Sequence, residues 1–319
     1  MTKKTFKSDL AELIVSFLKL KKSVGLKYET DEYYLHQFDE YYLKEKSKSL
    51  KIIIKKWIIL RNTENPITQR RRIATIRQFG KYLMDLNYPD PFIIPNKICQ
   101  KQSRTLPHFF TNNEIIKFFI ACDSLKQCNN SSVRHYVLPM LFRVLYCCGL
   151  RTCEARKILV KDVDFTNKYI DIINSKGLKS RRIFIHQELA TLLEKYDAKI
   201  NCLIPERTYF FPVKKESCYS NSSISYNFNK IWCLANLKKE PNKRIRAYDM
   251  RHHFAFANIN RWTEEGINVN AMLPYLMRYM GHSSLDSTLY YVHLVPEFFS
   301  TLNNKTKALE DLLPEVTYE

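Results

Sequence analysis

The 319-residue sequence predicts a mainly α-helical chain in two domains, with a small antiparallel β-sheet in the second. Three observations carry that expectation. The first hundred residues show apolar side chains at helical spacing. A stretch with four prolines and no periodicity, 87–108, follows them. Beyond it, helical patterns are interrupted once by two alternating runs around a polar turn.

Taken in order, Asp9 to Leu20 has helical spacing. Thr30 to Tyr42 opens on a capping Thr and sets Tyr34, Leu35, Phe38 and Tyr42 on one side. Leu50 to Leu60 is Ile-rich and fits helix or strand. Thr68 to Leu86 is amphipathic, with Ile73, Ile76, Phe79, Tyr82 and Leu83 expected inside and Arg70, Arg71, Arg72, Arg77 and Lys81 outside. The prolines of 87–108 restrict themselves and their predecessors to extended forms, which makes a linker, basic at Lys97, Lys101 and Arg104. Thr111 caps the next helix. Another spans 133–148 and stops at Gly149, and a third starts near Thr152. Lys168 to Ile173 and Arg181 to Ile185 read as a β-hairpin with Lys176 and Gly177 in its turn.

Composition narrows the function. There are 51 Lys and Arg against 32 Asp and Glu, a net charge of +19, and no apolar run long enough to span a membrane. The N-terminus lacks the apolar segment of a signal peptide, so a soluble, cytoplasmic protein is expected. Nine cysteines, odd in number and without a CxxC pair, suggest reduced, mostly buried thiols and no zinc site. Residues 1–105 are net +11, residues 106–319 net +8, and the last stretch, 296–319, net −3. Between Lys44 and Lys81 twelve basic side chains meet only Glu45 and Glu64, a bias that favours a phosphate-facing surface over an ordinary solvated one.

Three of only six glycines adjoin unusual polar residues, in Gly149-Leu150-Arg151, Lys176-Gly177 and Gly281-His282. Glycine is expected where backbone turns sharply or approaches something closely, here a substrate phosphate. With Arg251 in YDMRHHFA and Tyr291 in STLYYVHL, these side chains cover a phosphodiester reaction. Two guanidiniums clamp non-bridging oxygens, Lys or His supplies hydrogen bonds and protons, and a Tyr attacks phosphorus to form a covalent link. Singly, each residue is more simply explained as surface or core; the joint, ordered occurrence is what points to a site.

At these residues the chain resembles the tyrosine recombinases, the phage-integrase-type site-specific DNA recombinases. GLRTCEARKILVKDVDF resembles the family's first catalytic box, with Arg151 as first arginine and Glu154 as supporting acid. The hairpin with Lys176, 25 residues on, resembles the catalytic-lysine hairpin. YDMRHHFA resembles the second box, normally His-x-x-Arg-His, with Arg251 as second arginine. GHSSLDSTLYYVH resembles the last, with His282 nine residues before the nucleophile, which selects Tyr291 over Tyr290. GLKYETDEYYLHQF and RIATIRQFGKYL resemble the helical core-binding domain. Two departures stand out. Tyr248 replaces the usual His, and RWTEEGINVNAM (261–272) reads as an extra loop.

The resemblance implies a SAM-like helical core-binding domain over 1–90, a linker over 91–108, an integrase-like catalytic domain over 109–295, and a tail helix over 296–319 for protomer contacts. The two domains are expected to form a C-clamp on double-stranded DNA. Strand cleavage and rejoining through a 3′-phosphotyrosine and a Holliday junction follow, by a homotetramer on DNA that is a monomer or weak oligomer when free. No metal, ATP or other cofactor is expected, and accessory DNA-bending or directionality proteins fit the family. Catalytic roles fall to Arg151, Lys176, Tyr248, Arg251, His282 and Tyr291. DNA contacts fall to Arg70, Arg71, Arg72, Arg77, Lys81, Lys101 and Arg104. The alternatives are a type IB topoisomerase-like enzyme and a recombinase-derived DNA-binding protein with altered catalysis.

Overall fold

The computed structural model describes residues 5–45, 49–96, 106–127, 132–173, 180–238, 244–284 and 286–292. The chain is mainly α with small antiparallel sheets, and it divides into two compact units, Met1–Thr105 and Leu106–Glu319. Lys101, Arg104, Lys176 and the whole 296–319 tail lie outside the described residues. No described helix is long and apolar enough to cross a membrane, and no described His, Cys, Asp and Glu group could hold a metal ion.

Among the described residues, the first unit packs four α-helices: α1 (Ala11–Ser23), α2 (Glu29–Lys44), α3 (Leu50–Trp57) and α4 (Pro66–Asp85). Its core joins Leu10, Ile14 and Phe17 to Leu35, Phe38, Ile53, Trp57, Ile76 and Leu83. The ambiguous Ile-rich run is the helix α3, because Ile53, Ile54 and Trp57 recur on one buried face. Thr30 lies inside α2 rather than capping it; the cap position is Tyr28, at φ 50°. α4 starts as a helix should, with Asn65 accepting from the Ile67 amide and Pro66 in the first turn.

α4 corrects the reading of its basic face. Arg72 is fully buried. Its Nη2 and Nε donate to Glu64 at 2.7 and 2.9 Å, its Nη1 to the Trp57 carbonyl, and its Nη2 also to the Ile59 carbonyl at 3.1 Å. The guanidinium also lies over the Trp57 ring. Positions 72, 76, 79 and 83 share one helical face, so Arg72 belongs to the apolar side, where the chain after α3 supplies its carboxylate and carbonyls. Arg77 is half-buried and donates to the Ile94 and Pro95 carbonyls at 2.7 and 2.9 Å. Arg70, Arg71 and Lys81 are exposed.

The second unit opens with α5 (Asn112–Asp123), capped reciprocally by Thr111 and Glu114. It continues with α6 (Arg134–Cys148) and the short α7 (Thr152–Ala155). Strands β1 (Val163–Asp164), β2 (Tyr169–Ile172) and β3 (Arg181–Phe184) form one antiparallel sheet in chain order, with Tyr169 opposite Phe184 and Ile172 opposite Arg181. α8 (Gln187–Leu203) leads to a second pair, β4 (Pro212–Lys214) and β5 (Ser217–Cys218), which the sequence did not suggest. Then come α9 (Asn221–Leu234), α10 (Asp249–Glu264), α11 (Val269–Met280) and α12 (Asp286–Val292).

The main core lies around α6, the most enclosed helix, and a smaller one joins α10, α11 and α12 through Ile259, Trp262, Leu273 and Tyr291. Residues 261–272 are not an extra loop. α10 runs to Glu264, Gly266 turns at φ 69°, and Asn268 caps α11, with Trp262 and Val269 buried on either side of the turn. The thiols also differ from expectation. Cys122 and Cys148 are buried, but Cys147, Cys153, Cys202 and Cys233 are exposed, and all described cysteines are free.

Candidate active site

The site forms where three helix ends meet: the C-terminus of α6, the N-terminus of α10 and the C-terminus of α11. Gly149 ends α6 and Gly281 ends α11, at φ 57° and 68°, the left-handed cap that glycine adopts without steric cost. Each leaves a carbonyl that an arginine takes. Arg251, on the first turn of α10 and buried to 1%, donates from Nη1 to the Gly149 carbonyl at 2.7 Å and from Nη2 to the Met280 carbonyl at 2.8 Å. Arg151, just before α7, donates from Nη2 to the Gly281 carbonyl at 2.8 Å. Cations at helix C-termini meet the negative end of the helix dipole.

The sequence reads these glycines as points where backbone meets a substrate phosphate; the structure adds an internal reason for them. A Cβ at Gly149 would come within 2.4 Å of the Phe254 ring, and one at Gly281 within 2.9 Å of the Arg181 guanidinium. The crowding at both positions is internal, against Phe254 and Arg181.

Glu154 anchors the cationic side. It is buried and accepts from Arg151 Nη1 at 2.7 Å, from the Arg151 amide at 3.0 Å, and from Arg181 Nη1 and Nη2 at 3.1 and 2.9 Å. Arg181, the first residue of β3, also donates to the Tyr279 carbonyl at 2.7 Å. Sequence reasoning passed over Arg181. Its only signal was its place at the base of the lysine hairpin. Two guanidiniums thus share one carboxylate, while Arg251 has only backbone partners among the described residues. Burial and the Arg151 charge lower its pKa to about 10, and its buried Nε has no partner among the described residues.

His282 follows Gly281 directly. Its Nδ1 lies 2.7 Å from Thr288 Oγ1, and its ring stacks on that of Tyr291 at 6.3 Å. Burial, then Arg251 and Arg151, push its pKa down to about 3, so it is neutral near pH 7. Tyr291 on α12 is 3% exposed, with its phenol pKa raised by burial. Its hydroxyl lies 2.8 Å from Nδ1 of His252, the residue after Arg251. His252 was not among the expected site residues, although it fills the final His of the His-x-x-Arg-His pattern. Burial lowers its pKa to about 4. Tyr248, at the His position of that pattern, is 38% exposed and packs edge-on against His252 at 5.0 Å. Arg151, Glu154, Tyr248, Arg251, His282 and Tyr291, far apart in sequence, are therefore gathered at one place in this unit.

The phage integrase family model matches residues 108–297, more than half the chain. The chain belongs to the phage integrase family. Relatives of this family member agree. A tyrosine recombinase of Pseudothermotoga lettingae is 28% identical over 240 residues, 75% of this chain and 75% of its own. Tyrosine recombinase XerD of Rickettsia bellii is 25% identical over 306 residues, 91% of this chain and 94% of its own. Among solved structures, XerH site-specific recombinase bound to palindromic difH substrate, a post-cleavage complex, superposes with a TM-score of 0.64 at 20% identity, covering 95% of this chain and 86% of that one. The Tn1549 transposon integrase in complex with a circular intermediate DNA gives 0.62 at 14% identity, over 88% and 94%. These two likenesses are of fold.

Proposed function

We propose that this integrase-family chain is a site-specific DNA recombinase of the integrase or transposase type, cutting and rejoining double-stranded DNA through a 3′-phosphotyrosine. The observation that carries the reading is the gathering of Arg151 and Arg251 on the carbonyls of Gly281 and Met280, next to His282 and, against its ring, Tyr291. Tyr291 attacks the scissile phosphorus, and its oxygen bonds to phosphorus as the bond to the 5′-oxygen breaks. Arg151 and Arg251 stabilise the charge that builds on the phosphorane oxygens. Arg251 Nε, buried without a partner among the described residues, is a donor whose desolvation a phosphate oxygen would offset.

Lys176 protonates the departing 5′-oxygen. His282 and Tyr248 hydrogen-bond the phosphate, and Glu154 holds Arg151 in place. A 5′-hydroxyl from a partner strand reverses the attack, and four protomers exchange strands through a Holliday junction, joined by the 296–319 tails. Both basic units contact the duplex, the first through Arg70, Arg71 and Lys81, with Lys101 and Arg104 adding to it. XerH and the Tn1549 integrase are described on DNA, which supports DNA as the partner here.

The test is covalent trapping on a nicked suicide substrate. The wild-type chain should form a protein–DNA adduct that resists denaturant. Tyr291→Phe should form none while binding the same DNA. An adduct formed by the Phe variant overturns the assignment.

A further inference from the structure

The proposed nucleophile has a hydrogen-bond partner that the motif reading did not use. Tyr291 Oη lies 2.8 Å from His252 Nδ1, and both rings belong to the packed contact between α10 and α12. His282, the other imidazole near the phenol, has its Nδ1 engaged by Thr288 Oγ1 at 2.7 Å and makes no hydrogen bond to Tyr291 among the described residues. It stacks on the Tyr291 ring instead. Tyr248, the residue just before α10, closes on His252 from one turn earlier. The imidazole is thus held between one tyrosine edge and the hydroxyl of another.

From this geometry we infer that His252 is a catalytic residue, holding the Tyr291 hydroxyl and taking its proton as that oxygen attacks phosphorus. The inference rests on the recombinase reading above. In the step, an Oη electron pair forms the bond to phosphorus, and the phenolic proton passes to His252 Nδ1, giving an imidazolium. The bond from phosphorus to the 5′-oxygen breaks, and its electron pair leaves with that oxygen, which is protonated by Lys176. Rejoining runs backwards. The incoming 5′-hydroxyl gives up its proton to the Lys176 amine, and the departing phenolate recovers its own from His252.

Two further observations favour this division. His252 is neutral near pH 7, so a ring nitrogen can accept, while the burial that keeps it neutral also lowers its basicity until charge of opposite sign enters the site. Tyr291 is buried, so bulk water is poorly placed to take its proton. The entering phosphodiester brings a negative charge next to the new imidazolium, which favours the transfer when substrate is in place and not before.

The experiment measures single-turnover adduct formation on the suicide substrate by the wild-type chain, His252→Gln and His282→Gln. Each is also made with 3,5-difluorotyrosine at 291, whose phenol ionises more readily. Gln keeps a hydrogen bond to the phenol but cannot carry its proton. His252→Gln should slow cleavage by about a hundredfold, the order expected for losing a general base, while DNA binding is unchanged. Difluorotyrosine should restore most of that rate in His252→Gln and little of any loss in His282→Gln. If wild type forms no adduct, the recombinase reading fails and this inference falls with it. If wild type cleaves and His252→Gln stays within threefold of it, the inference alone fails. It fails also if difluorotyrosine rescues only His282→Gln, or if the loss in His252→Gln is not restored.

Discussion

Arg72 in the first unit and Arg251 in the second are both essentially buried arginines on helices, and they are buried for opposite reasons. Arg72 is balanced. Glu64 accepts two of its nitrogens, and the carbonyls of Trp57 and Ile59 take the rest of its reach. Arg251 makes no ion pair among the described residues. Its hydrogen-bond partners are the carbonyls of Gly149 and Met280, and the largest charge effect on it comes from another cation, Arg151, with Glu154 acting the other way. A closed pair such as the first fixes a fold. An unmatched cation such as the second costs stability in the free protein, and that cost is relieved by an incoming anion. Counting basic residues along the chain cannot separate the two; counting carboxylates around each one can.

The same substitution at the two sites should therefore split them. Arg251→Met should reduce cleavage of a suicide substrate by about 10²–10³-fold or more, as expected for losing a donor to a developing oxyanion. Thermal unfolding should show a midpoint no lower than wild type. Arg72→Met should do the reverse, costing about 3–5 kcal/mol of stability because Glu64, its side chain largely buried, loses its main partner and keeps only the long bond from the Arg61 amide and the Arg61 charge. At a temperature where that variant is folded, its adduct rate should match wild type. A large fall in midpoint for Arg251→Met would break the comparison.

Acidification separates the units more gently. His252 and His282 are held neutral in the fold, with pKa values of about 4 and about 3. Below about pH 6.5 the unfolded chain takes up protons that the folded site refuses, so stability is lost as pH falls. Glu64 is pushed up by burial but drawn down further by Arg72, and its net pKa is below the ordinary value. The stability it adds is present above the usual glutamate range and lost only as pH falls through its own lower pKa. Hydrogen exchange at pH 7 and 5.5 should show the second unit loosening before the first. The smallest structural effect belongs to the exposed arginines. Arg70→Gln with Arg71→Gln should leave the melting midpoint unchanged and reduce the salt slope of DNA binding by about two.

Much of this was legible in the sequence because the signals are local. The Thr111 and Glu114 capping box, the buried Ile73, Ile76, Phe79 and Leu83 of α4, and the alternation of β2 and β3 depend on neighbours a few residues away. The site residues could be named because motif spacing records a tertiary gathering that periodicity does not. What escaped was long-range. Arg72 sits on the apolar face of its own helix, but its carboxylate comes from the loop before α4. Arg181 meets Glu154 across 27 positions. His252 stood beside Arg251 in plain view, yet only the packing of α12 shows that it faces the Tyr291 hydroxyl. The reading of 261–272 as a loop failed because a helix–turn–helix junction with Gly266 and capping Asn268 looks like a loop when its flanks are polar.

Arg151 and Arg251 hold consecutive carbonyls, those of Gly281 and Met280, at the end of one helix. The two guanidiniums are consequently geared together. Any tilt or slide of α11 displaces both at once, and neither can be retuned alone by moving that helix. A site wired this way responds as a unit. The position of α11 is one setting shared by both cations of the cradle.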